Sequence, residues 1–310
     1  MTTYFQMHGL TLRSDLHVDA AEVALAPEGN VDVTIERGER RSIPHEAPPG
    51  ALVADAVIND QRFYAASMSA DGVVMRYPGM CEFLVSKDLS TITWHLDPSS
   101  TEDFASILLS GGVLALVLIL RGELMLHASA VEVDYHALAF VGRAGMGKST
   151  MGALVALEAG ALITDDALRI ELVGSSALCH RAARTVRLRD PAASLADGSD
   201  SSRTVDGRTA VSLRSSSEAP VPLRAIAVPH PDKEGRELLM ERVPAAQAHL
   251  LLSRFPRLHG WEDPASGERQ FQLLADLVER VPVYRLRVPW GPPFPRGLVP
   301  EILRGAGWNS

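Results

Sequence analysis

One segment constrains this 310-residue chain more than any other: Gly142-Arg-Ala-Gly-Met-Gly-Lys148-Ser149. It fits G-x-x-x-x-G-K-[ST], with Val141 closing an apolar run before it and Thr150 opening a helical run after it. Glycines let a backbone wrap a phosphate chain with several N–H groups turned inward, and the following helix N-terminus adds partial positive charge. In that geometry Gly142, Arg143, Ala144, Gly145, Met146, Gly147, Lys148, Ser149 and Thr150 form a nucleotide-contacting loop. Lys148 reaches the β- and γ-phosphates, and the Ser149 hydroxyl is placed to ligate Mg²⁺. The cofactors this predicts are ATP and Mg.

A loop of this kind sits between a strand and a helix, so an α/β core is expected around it. Leu124-Val133 and Ala137-Val141, joined by Asp134-Tyr135-His136, read as two strands linked by a tight turn. Ser149-Glu158 reads as a helix ended by Gly160, and Ala161-Thr164 as the next strand. Asp165-Asp166 follows immediately, where two carboxylates would face the γ-phosphate region. One could hold the metal and the other take a proton, which suits transfer to a hydroxyl. On pattern alone, the pair could also be exposed turn residues. His127, inside an alternating strand, reads more readily as a half-buried structural residue.

Before this core, short runs such as Ala51-Ile58, Arg62-Ala66, Gly72-Tyr77 and Thr91-Leu96 alternate with Asn59-Asp60, Asp71-Gly72 and Pro78-Gly79. A β-rich N-terminal domain over residues 1–100 and a kinase-type domain over 101–310 are therefore expected. Residues 190–220, rich in Ser, Asp, Gly and Arg, read as a mobile excursion. Ala245-Arg254 and Phe271-Arg280 have helical spacing, and Val283-Val288 reads as a late strand. The uncharged run Phe104-Leu120 approaches the length of a membrane span, but Ser106, Ser110, Gly111 and Gly112 favour a buried core helix.

The formal net charge of −8 opposes a general electrostatic grip on nucleic acid or anionic lipid, so neither nucleic acid nor a membrane is expected as a partner. Two cysteines, Cys81 and Cys179, are too few for a disulfide framework, which fits a reducing compartment. With no basic-then-apolar leader in the first residues, a cytoplasmic location is expected.

The run from Leu126 to Asp166 resembles the catalytic core of the bacterial HPr serine kinase/phosphorylase family, whose P-loop kinase domain is similar to phosphoenolpyruvate carboxykinase. His127, Gly142, Gly145, Gly147, Lys148, Ser149, Asp165 and Asp166 fall in the family's order and spacing. The fold implied is α/β, a P-loop kinase core of the HPr kinase/phosphoenolpyruvate carboxykinase type with a β-rich N-terminal domain. By the same resemblance Asp165 is the general base for the acceptor hydroxyl, His127 its electrostatic partner, and Asp166 with Ser149 the Mg²⁺ ligands. Thr150 stands where the family has Glu, and the R-G-x-G stretch linked to phosphorolysis does not follow Asp166. Arg304-Gly-Ala-Gly307 lies at the far C-terminus instead, which argues against a phosphorylase activity. Gly9-Leu10 with Arg13-Ser14, Tyr77-Pro78-Gly79 and Arg121-Gly122 look like HPr-kinase-related proteins of biosynthetic clusters, among them lasso-peptide tailoring kinases that phosphorylate a C-terminal Ser.

The expected function is thus an ATP- and Mg-dependent kinase acting on a hydroxyl of a peptide, such as a lasso-peptide-like precursor, or of a protein. The alternatives are a small-molecule (sugar or alcohol) kinase and a non-catalytic nucleotide-sensing protein. A homo-oligomer is left open. Arg181, Arg184, Arg187 and Arg189 form a basic run, and Arg203 and Arg208 follow in the excursion. Arginines on a mobile loop can close over a transferring phosphoryl group. Arg208 is the first candidate, because Asp206-Gly207-Arg208 reads as a turn presenting a side chain.

Overall fold

Alternation of apolar and polar residues, interrupted by turn residues able to take left-handed backbone, makes the first part of the chain a sheet. In the computed structural model, which describes residues 2–23, 30–196, 199–235 and 237–308, the protein divides into two compact units. Residues 1–123 and 257–270 make the first, and residues 124–256 and 271–310 the second.

The first unit carries a nine-stranded sheet. From one edge its strands run Ala21–Val23, Thr3–Met7, Leu10–Ser14, Val33–Arg37, Thr91–Leu96, Cys81–Ser86, Gly72–Tyr77, Gln61–Ser69 and Ala51–Ile58. Asn59 and Asp60, at φ 51 and 60, close the hairpin between Ala51–Ile58 and Gln61–Ser69, as an Asn-Asp pair can. The apolar run forms a continuous helical stretch: Glu102–Leu108, a wide π-type turn Leu109–Val113, then Leu114–Leu120. By length and hydropathy this stretch could cross a membrane, but 72% of its most apolar window is buried inside the protein. It groups with the β-rich unit. The first unit therefore extends to residue 123, beyond the expected boundary at 100, and regains residues 257–270.

The second unit is built on a sheet with a covered face on either side. Strand His136–Val141 lies parallel to Val221–Asp232, which lies parallel to Val283–Pro289. On its other side His136–Val141 pairs antiparallel with Ala128–Val133, and that strand with Ala161–Thr164. Alternate residues serve two cores, as the period-2 geometry of a strand requires. Leu138 and Phe140 pack with Met151, Leu154 and Val155 of helix Lys148–Glu158 and with Val299 and Ile302 of helix Leu298–Gly305. Ala137, Ala139 and Val141 face Leu251, Leu252, Leu274 and Leu277, from helices Ala245–Leu252 and Pro264–Arg280. Burial on both faces explains why the strands are almost unbroken apolar runs.

Two expectations are corrected here. The run Leu124-Val133 is two strands, Leu124–Leu126 and Ala128–Val133, broken at His127 because they pair with different neighbours. The stretch 190–220 is not structureless: Ser201–Arg203 and Thr209–Ser212 join Thr185–Leu188 in a three-stranded sheet, and Val211 packs beside Val186 and Leu188. Residues 197 and 198 of that stretch lie outside the described residues.

Candidate active site

Strand His136–Val141 runs straight into the glycine-rich loop, and helix Lys148–Glu158 starts where the loop ends. Gly145 and Gly147 sit at φ 87 and 90, backbone that side chains avoid, and a Cβ at Gly145 would meet nothing within 4 Å. The loop is thus open on that side. The first N–H groups of a helix have no partner within it, so the start of helix Lys148–Glu158 offers donors beside the opening, while within the loop the Arg143 N–H bonds Met146 Sδ and the Met146 N–H the Arg143 carbonyl. Arg143, Ala144 and Gly145 are exposed, whereas Gly142 is buried and Met146, Gly147, Ser149 and Thr150 are partly so.

Lys148 is buried, and its Nζ lies 3.1 Å from Nε2 of His127 and 3.1 Å from the Arg143 carbonyl oxygen. An ammonium only donates, so Nε2 of His127 accepts and the ring proton sits on Nδ1. That Nδ1 donates to the Asp166 carbonyl at 2.8 Å and lies 3.4 Å from the Asp166 carboxylate. The strand break holds the ring there: the His127 N–H bonds the Phe255 carbonyl, and its carbonyl accepts from the Gly142 N–H, both at 3.4 Å.

The adjacent acids have separate partners. Asp165 is buried; Ser149 Oγ donates to its Oδ1 at 2.8 Å, and the Arg187 backbone N–H to its Oδ2 at 3.1 Å. Burial, and then the neighbouring Asp166, hold its pKa above the usual carboxylate value against those two hydrogen bonds. Asp166, at φ 77, turns its half-buried carboxylate toward His127 and toward the Arg187 guanidinium, 3.4 Å away. The expected Ser149–Asp166 pairing is therefore not assembled. Ser149 meets Asp165, because the left-handed backbone at the second acid swings its side chain to the other partner.

Arg187 also reaches Asp206 at 3.3 Å. Arg208, placed first among the arginines by sequence, pairs with that same Asp206 at 3.4 Å. Arg181 pairs with Glu218 and Arg203 with Asp190, while Arg184 and Arg189 are exposed. The signal for Arg187 lay in Thr185–Leu188, where Val186 and Leu188 are buried and Arg187 points the other way.

Among the described residues no group of three His, Cys, Asp or Glu side chains could hold a metal by itself. One hydroxyl and one carboxylate, Ser149 and Asp165, make a partial donor set. That suits Mg²⁺, which keeps waters and arrives with phosphate oxygens rather than sitting in an all-protein cage.

Comparison with protein-family models and with curated proteins finds no match. Among solved structures the chain is similar to the HPr(Ser) kinase/phosphatase from Coxiella burnetii, at 11% identity over 57% of this chain and 90% of that one, with a TM-score of 0.27. A TM-score this low carries no weight for fold or activity, and the reading of the site rests on its own geometry.

Proposed function

We propose that the protein is an ATP- and Mg²⁺-dependent kinase that transfers the γ-phosphoryl group to a hydroxyl, a serine of a peptide or protein being the acceptor class. A peptide precursor of the lasso-peptide kind fits the resemblance of the N-terminal residues. A cytoplasmic setting is part of the same reading, supported by Cys81 and Cys179 being free and buried.

The observation that carries the proposal is the split environment of the two acids: Asp165 bound to the loop hydroxyl, Asp166 bound to His127 and Arg187. The glycine loop cradles the phosphates with its N–H groups. Lys148 leaves His127 and follows the charge on the transferred group. Ser149 and Asp165 would hold Mg²⁺, which when bound offsets charge on the phosphate oxygens. Asp166 accepts the proton of the acceptor hydroxyl as that oxygen bonds to phosphorus and the bond to the leaving β-phosphate oxygen breaks. His127 orients Asp166, and Arg187 faces the developing charge. This exchanges the roles that the family resemblance implies for Asp165 and Asp166.

The test is incubation of the purified chain with γ-labelled ATP, Mg²⁺ and cell extract. Label appearing in phosphoserine, and lost with Lys148→Ala, supports the kinase. Slow ATP turnover that no hydroxyl compound or extract accelerates would instead identify a nucleotide sensor.

A further inference from the structure

The small sheet formed by Thr185–Leu188, Thr209–Ser212 and Ser201–Arg203 has one face packed and one face turned to the candidate active site. Val186, Leu188 and Val211 pack with Ala153 of helix Lys148–Glu158 and with Leu162. Arg187, between two of those buried residues, points the other way, and its backbone N–H is held by Asp165. Thr209 pairs with Leu188 on one side and with Arg203 on the other, so the hairpin tip of residues 204–208 lies beside the strand that carries Arg187.

That tip is a tight turn. The Gly207 N–H donates to the Thr204 carbonyl at 3.0 Å, the Thr204 N–H donates to the Arg208 carbonyl at 2.9 Å, and Gly207 takes the left-handed backbone at φ 77. Within it the Asp206 carboxylate is held from three directions. The Thr204 hydroxyl donates to Oδ1, while Arg187 Nη1 reaches Oδ2 at 3.3 Å and Arg208 Nε reaches the same oxygen at 3.4 Å.

Arg187 is therefore shared between two carboxylates, with Nη1 on Asp206 and Nη2 on Asp166 at 3.4 Å. A guanidinium facing a lone carboxylate closes on it in a two-pronged grip. Such a grip would cover both oxygens of Asp166, the group that has to accept a proton. Because Asp206 claims Nη1, Asp166 meets a single, long contact. Exposed ion pairs add little stability and fix little geometry. The Arg187 and Asp206 side chains are only 16% and 23% exposed, against 58% and 69% for Arg203 and Asp190 nearby, so this pair can hold a long side chain in one place.

We propose that Asp206 is a positioning residue for phosphoryl transfer, holding one end of the Arg187 guanidinium so that the other end faces Asp166 and the transferred group. This rests on the kinase reading. Asp206 touches neither reactant and acts through Arg187.

The test uses the full-length chain as wild type, Asp206→Asn, Arg187→Ala and the double variant. The Asn amide oxygen still accepts from the Thr204 hydroxyl, so the turn and the melting temperature should be kept while the charge is lost. Steady-state phosphoryl transfer to serine should show kcat reduced about fivefold or more by Asp206→Asn, with KM for ATP within about twofold of wild type. In the Arg187→Ala background the same substitution should change kcat by less than about twofold, because the residue it positions is gone. An equal loss in both backgrounds would make Asp206 a structural tether, and a rise in kcat with Asp206→Asn would make it an inhibitory contact; either overturns the proposal. A second arm does not depend on activity: phenylglyoxal labelling followed by peptide mapping. Arg187 should react more slowly than the exposed Arg184 in wild type, and at least about threefold faster in Asp206→Asn with Arg184 unchanged. Arg187 labelling that is indifferent to Asp206 would overturn the proposal even where transfer is intact. Protection that depends on Asp206 in a chain that transfers no phosphoryl group would instead remove the kinase reading, and with it the catalytic purpose of the contact.

Discussion

The Ser149 hydroxyl donates a 2.8 Å hydrogen bond to Oδ1 of Asp165, tying the first turn of helix Lys148–Glu158 to the end of strand Ala161–Thr164. One residue later, Asp166 faces His127 and Arg187 instead. Neighbouring carboxylates thus receive different environments from a single left-handed turn of backbone, one buried beside a hydroxyl and one reachable from solvent. Environments that differ in this way allow two chemically identical side chains to take different tasks.

Burial raises the Asp165 pKa above its unfolded-state value. The resulting stability is fully present below the unfolded pKa and is lost as pH rises through the folded pKa, because the buried carboxylate must then carry charge. Without Mg²⁺, Asp165→Asn should escape that loss and melt about 2–4 °C above wild type at pH 8. The gap should close toward acid pH. Thermal melts of both proteins in chelator across pH 4–8 check this, and a gap between variant and wild type that does not widen as pH rises would contradict it.

Lys148→Ala removes the cation that tracks charge on the transferred group. Phosphoryl transfer should fall by about a hundredfold or more, with the melting temperature little changed. Steady-state rates with labelled ATP provide the measurement, and near-normal transfer would remove the loop from the mechanism.

Arg187 touches both Asp166 and Asp206, whereas Arg208 pairs with Asp206. Arg187→Ala should lower kcat at least about tenfold, and Arg208→Ala much less. A larger effect at Arg208 would restore the order read from sequence.

Helix Lys148–Glu158 lies so close to strand Ala128–Val133 that a Cβ on Gly152 would stand 2.2 Å from Ser129 Oγ. Gly152→Ala should cost about 1–3 kcal/mol of stability by overpacking. Placing it in a Ser129→Ala background should recover part of that cost, because the nearest atom is then gone. Denaturant unfolding of the two single variants and the double variant measures the coupling; strictly additive effects would mean that the contact is not what limits the site.

Much of the fold was legible where local chemistry decides it. Asn59-Asp60 marked a hairpin, and the strands Ala51–Ile58, Gly72–Tyr77, Thr91–Leu96 and Ala161–Thr164 have the ends read from sequence. The break at His127 was not legible, since apolar residues continue on both sides and only the choice of pairing partner creates it. The sheet within residues 190–220 was hidden for a related reason. Ser201–Arg203 is fully exposed and carries no alternation, and the sheet depends on a distant partner, Thr185–Leu188. The glycine-rich turn of residues 142–149 between a strand and a helix was legible, but the partner each acid takes follows from the φ of Asp166, which no spacing encodes.

The most direct test of the central claim is a Mg²⁺ titration of phosphoryl transfer to serine by wild type, Asp165→Asn and Asp166→Asn. Asp166→Asn should abolish transfer at every Mg²⁺ concentration while still binding ATP·Mg²⁺, because an amide cannot accept the hydroxyl proton. Asp165→Asn should shift the Mg²⁺ requirement upward and regain part of its activity with excess metal, because an amide is the weaker ligand. Rescue of Asp166→Asn but not of Asp165→Asn would reverse the two roles. Unchanged transfer in both variants would contradict the kinase account itself.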